Sequence, residues 1–349
     1  YGSSVWRHRD TGRRCRWLQL IAQKRSWKDR CNDRAVACWS EADARGERIC
    51  HGTVTWVSKE GDMIGQGIRR CCLCSFTCEL PLPVSCPMTF ALPAGSSDDL
   101  QLAVKAALTA GELIRERFHA QPSTIQLKDG KGEVTETDLA AEAAIFEVLS
   151  GSSHGVLSEE AGGDTEGDLW IIDPVDGTTN FSRRLSLCAV SIGLRLGGQL
   201  SLGVIYHPVT EELYLAERGL GAWRNQQRLH VAATADPSLA VIFLTHGYAA
   251  EHRTRYGAAL SRFAVTSYPR TLGSTAVELS FVAAGSGDAW ICSGDELWDF
   301  AAGMVLVEEA GGRVSDWHGR DWDGQSTYTI VSNGAIHDFL IDTVGDLQP

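Results

Sequence analysis

From Ser97 onward, apolar positions return at spacings that switch between helix and strand; before Met88, no period of 3.6 or 2 is sustained. Ser96, Ser97, Asp98 and Asp99 supply an N-cap and an acidic first turn, and Leu100, Val104, Leu108, Leu113 and Ile114 follow on roughly one helical face. A second helix is predicted from Thr137–Asp138, carrying Leu139, Ala143, Ile145, Phe146 and Leu149 before Gly151 stops it. GVLSEE at 155–160 reads as a short strand running into a loop. LWII at 169–172 reads as a buried strand ended sharply by DPVDG. Residues 187–231 alternate and turn repeatedly, the mark of antiparallel strands. Then come a strand (AVIFLTH), a helix over Glu251–Arg262, a helix (STAVELSFVAAG), a strand (DAWIC) and a helix (WDFAAGMVLVEEAGG) with a glycine C-cap. GRVSDW and YTIVSN close as strands, with a final helix from Ala335. Runs interleaved this way predict an α+β domain of layered helices and sheets.

Composition divides the chain at the same place. Residues 1–87 hold 15 Lys and Arg against 9 Asp and Glu, whereas residues 88–349 hold 17 against 35, so a chain of net charge −12 joins a basic stretch to an acidic domain. Nine of the eleven cysteines lie before Met88; only Cys188 and Cys292 follow. Cys71 and Cys74 form a C-x-x-C half-site, within a cluster that includes Cys72 and Cys78 with Cys86 beyond. No second pair follows at the spacing a zinc knuckle needs. Residues 1–87 are therefore expected to be a Cys/Arg/Trp-rich extension that is unstructured or not part of the functional protein, with 88–349 as the working domain. The acidic balance argues against nucleic-acid binding, and no apolar run reaches the ~18 residues of a membrane span. The scarcity of cysteine in the domain and the lack of an export signal point to a reducing, cytoplasmic location.

Carboxylates gather where strands end. Glu159 and Glu160 follow GVLS, Asp173 ends LWII, and Asp176 follows across a proline turn; Asp138 and Asp299 open helices. Acids favour helix starts and turns on their own account, so none of these is informative singly. The segment DPVDGTTNF at 173–181 says more. Pro174 fixes a backbone angle so that Asp173 and Asp176 can share one side of a rigid turn, and Gly177 removes a side chain where something must approach the backbone. Thr178 and Thr179 can start a helix whose N–H groups suit an anion. Carboxylates beside an anion site repel a phosphate unless a cation lies between, and Mg²⁺ with oxygen ligands resolves that conflict.

DPVDGTTNF at 173–181, LSEE at 157–160 and WDFAAGMVLVEEAGG at 298–312 together resemble the inositol monophosphatase family. That family belongs to the Mg²⁺-dependent, Li⁺-sensitive phosphatase superfamily, which includes fructose-1,6-bisphosphatases. The likeness runs over residues 95–345 and implies a layered helix/sheet sandwich, two or three Mg²⁺ ions and a small phosphomonoester substrate. It implies Glu159, Asp173, Asp176 and Asp299 as side-chain metal ligands, Val175 as a ligand through its carbonyl, and Asp138 as the acid that helps place a further, weaker ion. It also implies Thr178 and Glu159 as the groups that orient the attacking water. Gly177 and Thr178 match donors to phosphate, while Asp176, Gly273, Ser274 and Asp299 match substrate contacts. A homodimer is a state such relatives often adopt.

The substrate is less defined. DGTTNF is shared by inositol and histidinol phosphatase branches, whereas a bisphosphate nucleotidase usually has Lys-Glu at the positions of Thr179 and Asn180. The sugar-contacting Glu of the family falls on Cys292, a poor acceptor for hydroxyl groups. Asp295 or Glu296 could stand in for it only if SGDEL folds inward. The expectation is an inositol-1-phosphate-like polyol or sugar phosphate. Histidinol phosphate is the main alternative, and a catalytically silent, metal-binding partner protein is the alternative of another class. GSSHG at 151–155 fits a nucleophile-elbow pattern but sits between helix and strand, the wrong order. The glycosylation triplet at Asn180 falls inside the proposed site and reads as chance. Cys188 and Cys292 read as buried small apolar groups, and Trp298 as a packing residue that fixes Asp299.

Overall fold

The computed structural model describes residues 90–120 and 134–348 in full, and the backbone alone of 6–7, 14–15, 31–42, 48–58, 63–72, 125–128 and 132–133. The chain divides into two units, Tyr1–Pro87 and Met88–Pro349. In the first, Cys31–Ala42, Arg48–Ser58 and Met63–Cys72 pair as an antiparallel sheet. The cysteine cluster at 71–86 lies outside the residues whose side chains are described.

In the second unit, two large sheets alternate with three helical layers, and β1 (Ile125–Lys128) and β2 (Gly132–Thr135) pair as a separate two-stranded sheet. The larger has eight strands, and its central members are β5 (Leu169–Asp176), β6 (Ala189–Leu196), β7 (Gln199–His207) and β8 (Glu212–Glu217), all antiparallel, with β9 (Gly221–Arg224) and β10 (Gln227–Arg228) beyond β8. β3 (Gly155–Ser158) runs parallel to β5 on its other side, with β4 (Gly162–Gly163) at the edge. The smaller sheet has five strands and is built on β11 (Val241–His246) and β13 (Ala289–Ser293), a parallel pair, with β12 (Tyr268–Arg270) beside β11, β15 (Tyr328–Ser332) antiparallel to β13, and β14 (Arg313–Asp316) at the far edge. Helices α1 (Asp98–His119) and α2 (Glu136–Leu149) cover one face of the large sheet. Helices α5 (Thr275–Ala283) and α6 (Leu297–Glu309) lie between the sheets, and α4 (Ala250–Phe263) and α7 (His337–Val344) cover the outer face of the small one. The layered α+β architecture expected from the pattern is the one found.

Period-2 alternation explains why the central strands read as continuous apolar runs. Trp170 and Ile172 pack toward α1 and α2, whereas Leu169 and Ile171 pack toward α5 and α6, so both faces are buried. Each large aliphatic side chain buried this way contributes about 1.5–3 kcal/mol. At one point side chains give way altogether. A Cβ on Gly203 of β7 would lie 2.2 Å from the carbonyl oxygen of Ala302, so α6 crosses the sheet backbone to backbone.

Three local expectations change. The strand at 169–172 does not stop at Asp173 but continues to Asp176; Asp173 pairs with Ser191 and Asp176 with Ala189, which leaves one extra residue on β5. Pro174, having no N–H to give the ladder, sits in this bulge. In the second helix Leu139 and Ala143 are exposed, and the buried face is Thr137, Asp138, Ala141, Glu142, Ile145 and Leu149. Polar partners turn that helix: Asp138 meets Thr178, and Glu142 accepts from the Ser158 hydroxyl (2.5 Å) and the Ala161 N–H (3.0 Å). In α1, Leu108 and Leu113 are only half-buried, because the inward stripe is made of Ala103, Ala106, Ala107 and Ala110 with Leu100 and Ile114.

The crossing at Gly203 predicts that Gly203→Ala lowers unfolding free energy in urea by about 1–3 kcal/mol, the cost of overpacking. Gly151→Ala, whose added methyl meets nothing within 4 Å, stays within about 0.5 kcal/mol of the parent. Equal losses in the two variants would contradict the packing described.

Candidate active site

The carboxyl ends of the two parallel strand pairs, β3 with β5 and β11 with β13, open on one cavity of about 480 Å³. Glu159 enters it from the residue after β3, its N–H bonded to the Ile172 carbonyl (3.1 Å). Asp173, Val175 and Asp176 come from the bulged end of β5. In an unbroken strand, residues three apart face opposite sides of the sheet. The extra residue removes that parity, and Asp173 and Asp176 converge with Asp299, at the third position of α6, so that one oxygen from each lies within 4.8 Å of the others. Gly177 then turns the chain at φ +88°, where a Cβ would meet the Leu187 carbonyl at 2.8 Å, and Thr178 begins the short helix α3 (Thr178–Ser182).

Each carboxylate is held by its own donors. Asp173 accepts the Val175 N–H (2.9 Å), and Asp299 accepts the Glu296 N–H (2.8 Å). Asp176 meets the start of α5, accepting from the Ser274 hydroxyl and from the N–H groups of Ala276 (2.7 Å) and Thr275 (3.3 Å). Burial raises all three carboxyl pKa values. For Asp173 the charges of Glu159, Asp176 and Asp299 push further, and for Asp299 those of Asp295 and Asp176 do so; Asp176, eased by its donors, rises to about 7. No Lys or Arg stands among the described residues that line the cavity. Buried oxygen donors crowded together without a counter-charge suit a hard divalent cation.

Of the other expected residues, Glu159, Val175, Gly177, Thr178, Gly273 and Ser274 all line the cavity. Asp138 does not. It lies fully buried behind Thr178, whose hydroxyl donates to its Oδ1 (2.7 Å), while its Oδ2 accepts the Thr135 N–H (2.9 Å) and hydroxyl (2.5 Å) in a capping box. Cys292 is also withdrawn, its sulfur buried and accepting the Asp295 N–H (3.3 Å). The loop after it does fold inward: Asp295 lines the cavity and accepts the Thr275 hydroxyl (2.8 Å). Asn180 is buried with its amide bonded to three carbonyls, which removes it as a glycosylation acceptor. Trp298 both packs on the central core and lines the cavity.

The far wall escaped the sequence reading. Thr245, His246, Tyr248 and His252 come from the end of β11 and the start of α4. Their signal was positional: in open sheets, ligands sit outside the carboxyl ends of parallel strands, and the parallel pairing of β11 with β13 is not written in either strand alone.

Comparison with known proteins identifies the kind of phosphoric monoester hydrolase to which this fold and site belong. A family model described as the inositol monophosphatase family matches residues 96–348. The inositol-1-monophosphatase of Mesorhizobium japonicum is 40% identical over 245 residues, covering 68% of this chain and 90% of that protein. The Nus factor SuhB of Escherichia coli K12 is 38% identical over 231 residues, covering 63% and 85%. Among solved structures, the extragenic suppressor protein SuhB of Bartonella henselae superposes with a TM-score of 0.67 at 33% identity, covering 71% of this chain and 98% of its own. A Thermotoga maritima IMPase superposes with 0.66 at 31%, covering 72% and 98%. The chain belongs to the inositol monophosphatase family, a family of metal-dependent phosphatases. Among the described residues no helix is long and apolar enough to cross a membrane.

A carboxyl whose folded pKa is raised binds its proton more tightly when folded, so stability is lost as pH rises from the unfolded value near 4 through the folded one. Asp173→Asn keeps the acceptor for Val175 and removes that charge. Without metal, the variant should melt above the parent at pH 8, by about 2–4 °C for each kcal/mol of repulsion relieved, and the gap should shrink toward pH 4. His207 and His337, which burial lowers to about 3 and about 4, act with the opposite sign, so the comparison is made against the parent at each pH. A variant less stable than the parent at pH 8 would contradict the crowding argument.

Proposed function

We propose that residues 88–349 form a Mg²⁺-dependent phosphomonoesterase that hydrolyses a small phosphorylated polyol or sugar, inositol-1-phosphate-like, by in-line attack of water. The observation that carries this reading is the meeting of Asp173, Asp176 and Asp299 in a cavity whose described lining holds no Lys or Arg. Together with Glu159 and the Val175 carbonyl they would hold two or three ions. When bound, Mg²⁺ supplies the charge that lowers the pKa of water, binds phosphate and neutralises the leaving oxygen.

The chain's own residues do the orienting. The Thr178 hydroxyl directs its hydrogen at Asp138 (2.7 Å), with the Val175 carbonyl as a second acceptor (3.0 Å), so its lone pairs remain to accept and a water between Thr178 and Glu159 is aligned by donating to both. Asp138, expected at a weaker metal position, acts in this reading by fixing Thr178. Gly177 and Thr178 offer N–H groups to the phosphate. Asp176, Gly273, Ser274 and Asp299 form the wall against the rest of the substrate, with Ser274 working through the hydroxyl it gives to Asp176.

A second phosphate on the substrate would need a fixed cation, and the described lining has none. This favours monophosphates over fructose-1,6-bisphosphate or 3′-phosphoadenosine 5′-phosphate. Asp295 and Glu296 in the same lining give histidinol phosphate, with its cationic amine, a specific claim as second reading. A silent metal-binding role, in keeping with the factor name of the Escherichia coli relative, stands as the reading of another class. The proposal includes a reducing cytoplasmic setting, which suits the free, buried thiols of Cys188 and Cys292, and a homodimer.

Phosphate release from inositol-1-phosphate, histidinol phosphate and the two bisphosphates, with and without Mg²⁺, separates these readings. Turnover of a monophosphate that vanishes without Mg²⁺ is expected; Mg²⁺ binding with no turnover of any ester favours the silent role. Asp173→Asn and Asp299→Asn should each lower kcat/KM by about 10³-fold, equivalent to ~4 kcal/mol of lost charge stabilisation. Retention within about tenfold would contradict the assignment. A chain begun at Met88 should match the full chain in activity; loss of folding there would show that residues 1–87 belong to the working protein.

A further inference from the structure

We propose that Glu278 is a positioning residue: from inside the core it fixes the segment that presents Ser274, Thr275 and Ala276 to Asp176, and so sets the affinity of the site for its cation. The proposal rests on the phosphatase reading above.

Glu278 lies in α5 among Val277, Leu279, Val282 and Ala283, with none of its surface exposed. Carboxyl groups are almost never buried this way without full pairing. Here the pairing is incomplete: Oε1 accepts the Leu272 N–H (2.5 Å), the Gly273 N–H acts on the same carboxyl, and Oε2 is buried with no hydrogen-bond partner. A leucine would fill such a place at lower cost, so what these bonds to the 272–273 backbone do is the question. Leu272 leads through Gly273, at φ +76°, into Ser274, the N-cap of α5. At that start, the Ser274 hydroxyl and the Thr275 and Ala276 N–H groups all go to Asp176. From the other side Asn180 of α3 donates its amide to the carbonyls of Leu272 (2.8 Å) and Gly273 (3.2 Å), and to that of Leu187 (2.8 Å).

The segment 272–273 is thus clamped twice by buried side chains, on its donor side by Glu278 and on its acceptor side by Asn180. The two clamps come from two of the helices that begin at the site. Asp176 depends on the outcome, because three of its partners follow directly after that segment. Partners of a metal ligand typically change affinity or activity about 10–100-fold when removed.

The test uses the full chain with three variants, Mg²⁺ binding by calorimetry with the metal alone, kcat and KM for inositol-1-phosphate, and thermal melting. Phosphate release by the parent is measured first, so a failed phosphatase reading shows as an inactive parent. Glu278→Gln keeps the acceptor and should bind Mg²⁺ within about threefold of the parent. Glu278→Ala and Glu278→Leu lose the acceptor, and each should weaken Mg²⁺ about tenfold or more and lower kcat similarly, whatever happens to its melting temperature. The Leu variant fills the space and serves where the Ala variant does not fold. Parent-like Mg²⁺ binding and kcat in the folded Leu variant, or a tenfold loss in the Gln variant, would overturn the proposal.

Discussion

Carboxylates repel one another, and burial makes that repulsion stronger because little water remains to screen it. The site of this protein is organised around that difficulty. Asp299 lies more than a hundred residues beyond Asp173 and Asp176 in sequence, yet oxygens of all three stand within 4.8 Å of one another, with Glu159 and Asp295 on the same cavity. Uncompensated, such an arrangement works against folding. The residues nearby do not neutralise it; they hold it in place with neutral donors, from the N–H of Val175 to the start of α5. What is missing from the balance is a positive charge, the part that the proposed Mg²⁺ would supply.

The fold is what makes the repulsive arrangement tolerable. Two parallel strand pairs in different sheets direct their carboxyl ends at one cavity, and helices begin there, so backbone N–H groups are available where negative charge collects. The bulge at Pro174 is the decisive local device. In a regular strand with the same spacing and no bulge, Asp173 and Asp176 would face opposite sides of the large sheet. Close packing supplies the rigidity: α6, which carries Asp299, crosses β7 so tightly that Gly203 has no room for a methyl group.

Much of this was legible in the sequence, for physical reasons that differ from place to place. Strand and helix periods marked the layers because nearly every central strand is buried on both faces. The motif at 173–181 was readable because Pro174 fixes a backbone angle and Gly177 marks a turn that a residue with a side chain would resist. Polar partners misled the reading of the second helix: Leu139 looks like a core residue, but Asp138 and Glu142 take the inward face because Thr178 and Ser158 await them. The burial of Cys292 and the inward turn of Asp295 depend on how β13 sits between β11 and β15, which no local pattern encodes. Nor could spacing reveal His246 and His252, since their relation to Asp173 exists only once the two sheets are stacked.

If the acidic cluster exists to hold a divalent cation, the ion can be located directly. Crystals grown with Mn²⁺ in place of Mg²⁺ permit an anomalous difference map at the manganese edge. Peaks are expected between the side chains of Asp173, Asp176, Asp299 and Glu159. Well-ordered carboxylates turned away from one another, with no anomalous density among them at saturating Mn²⁺, would contradict that role.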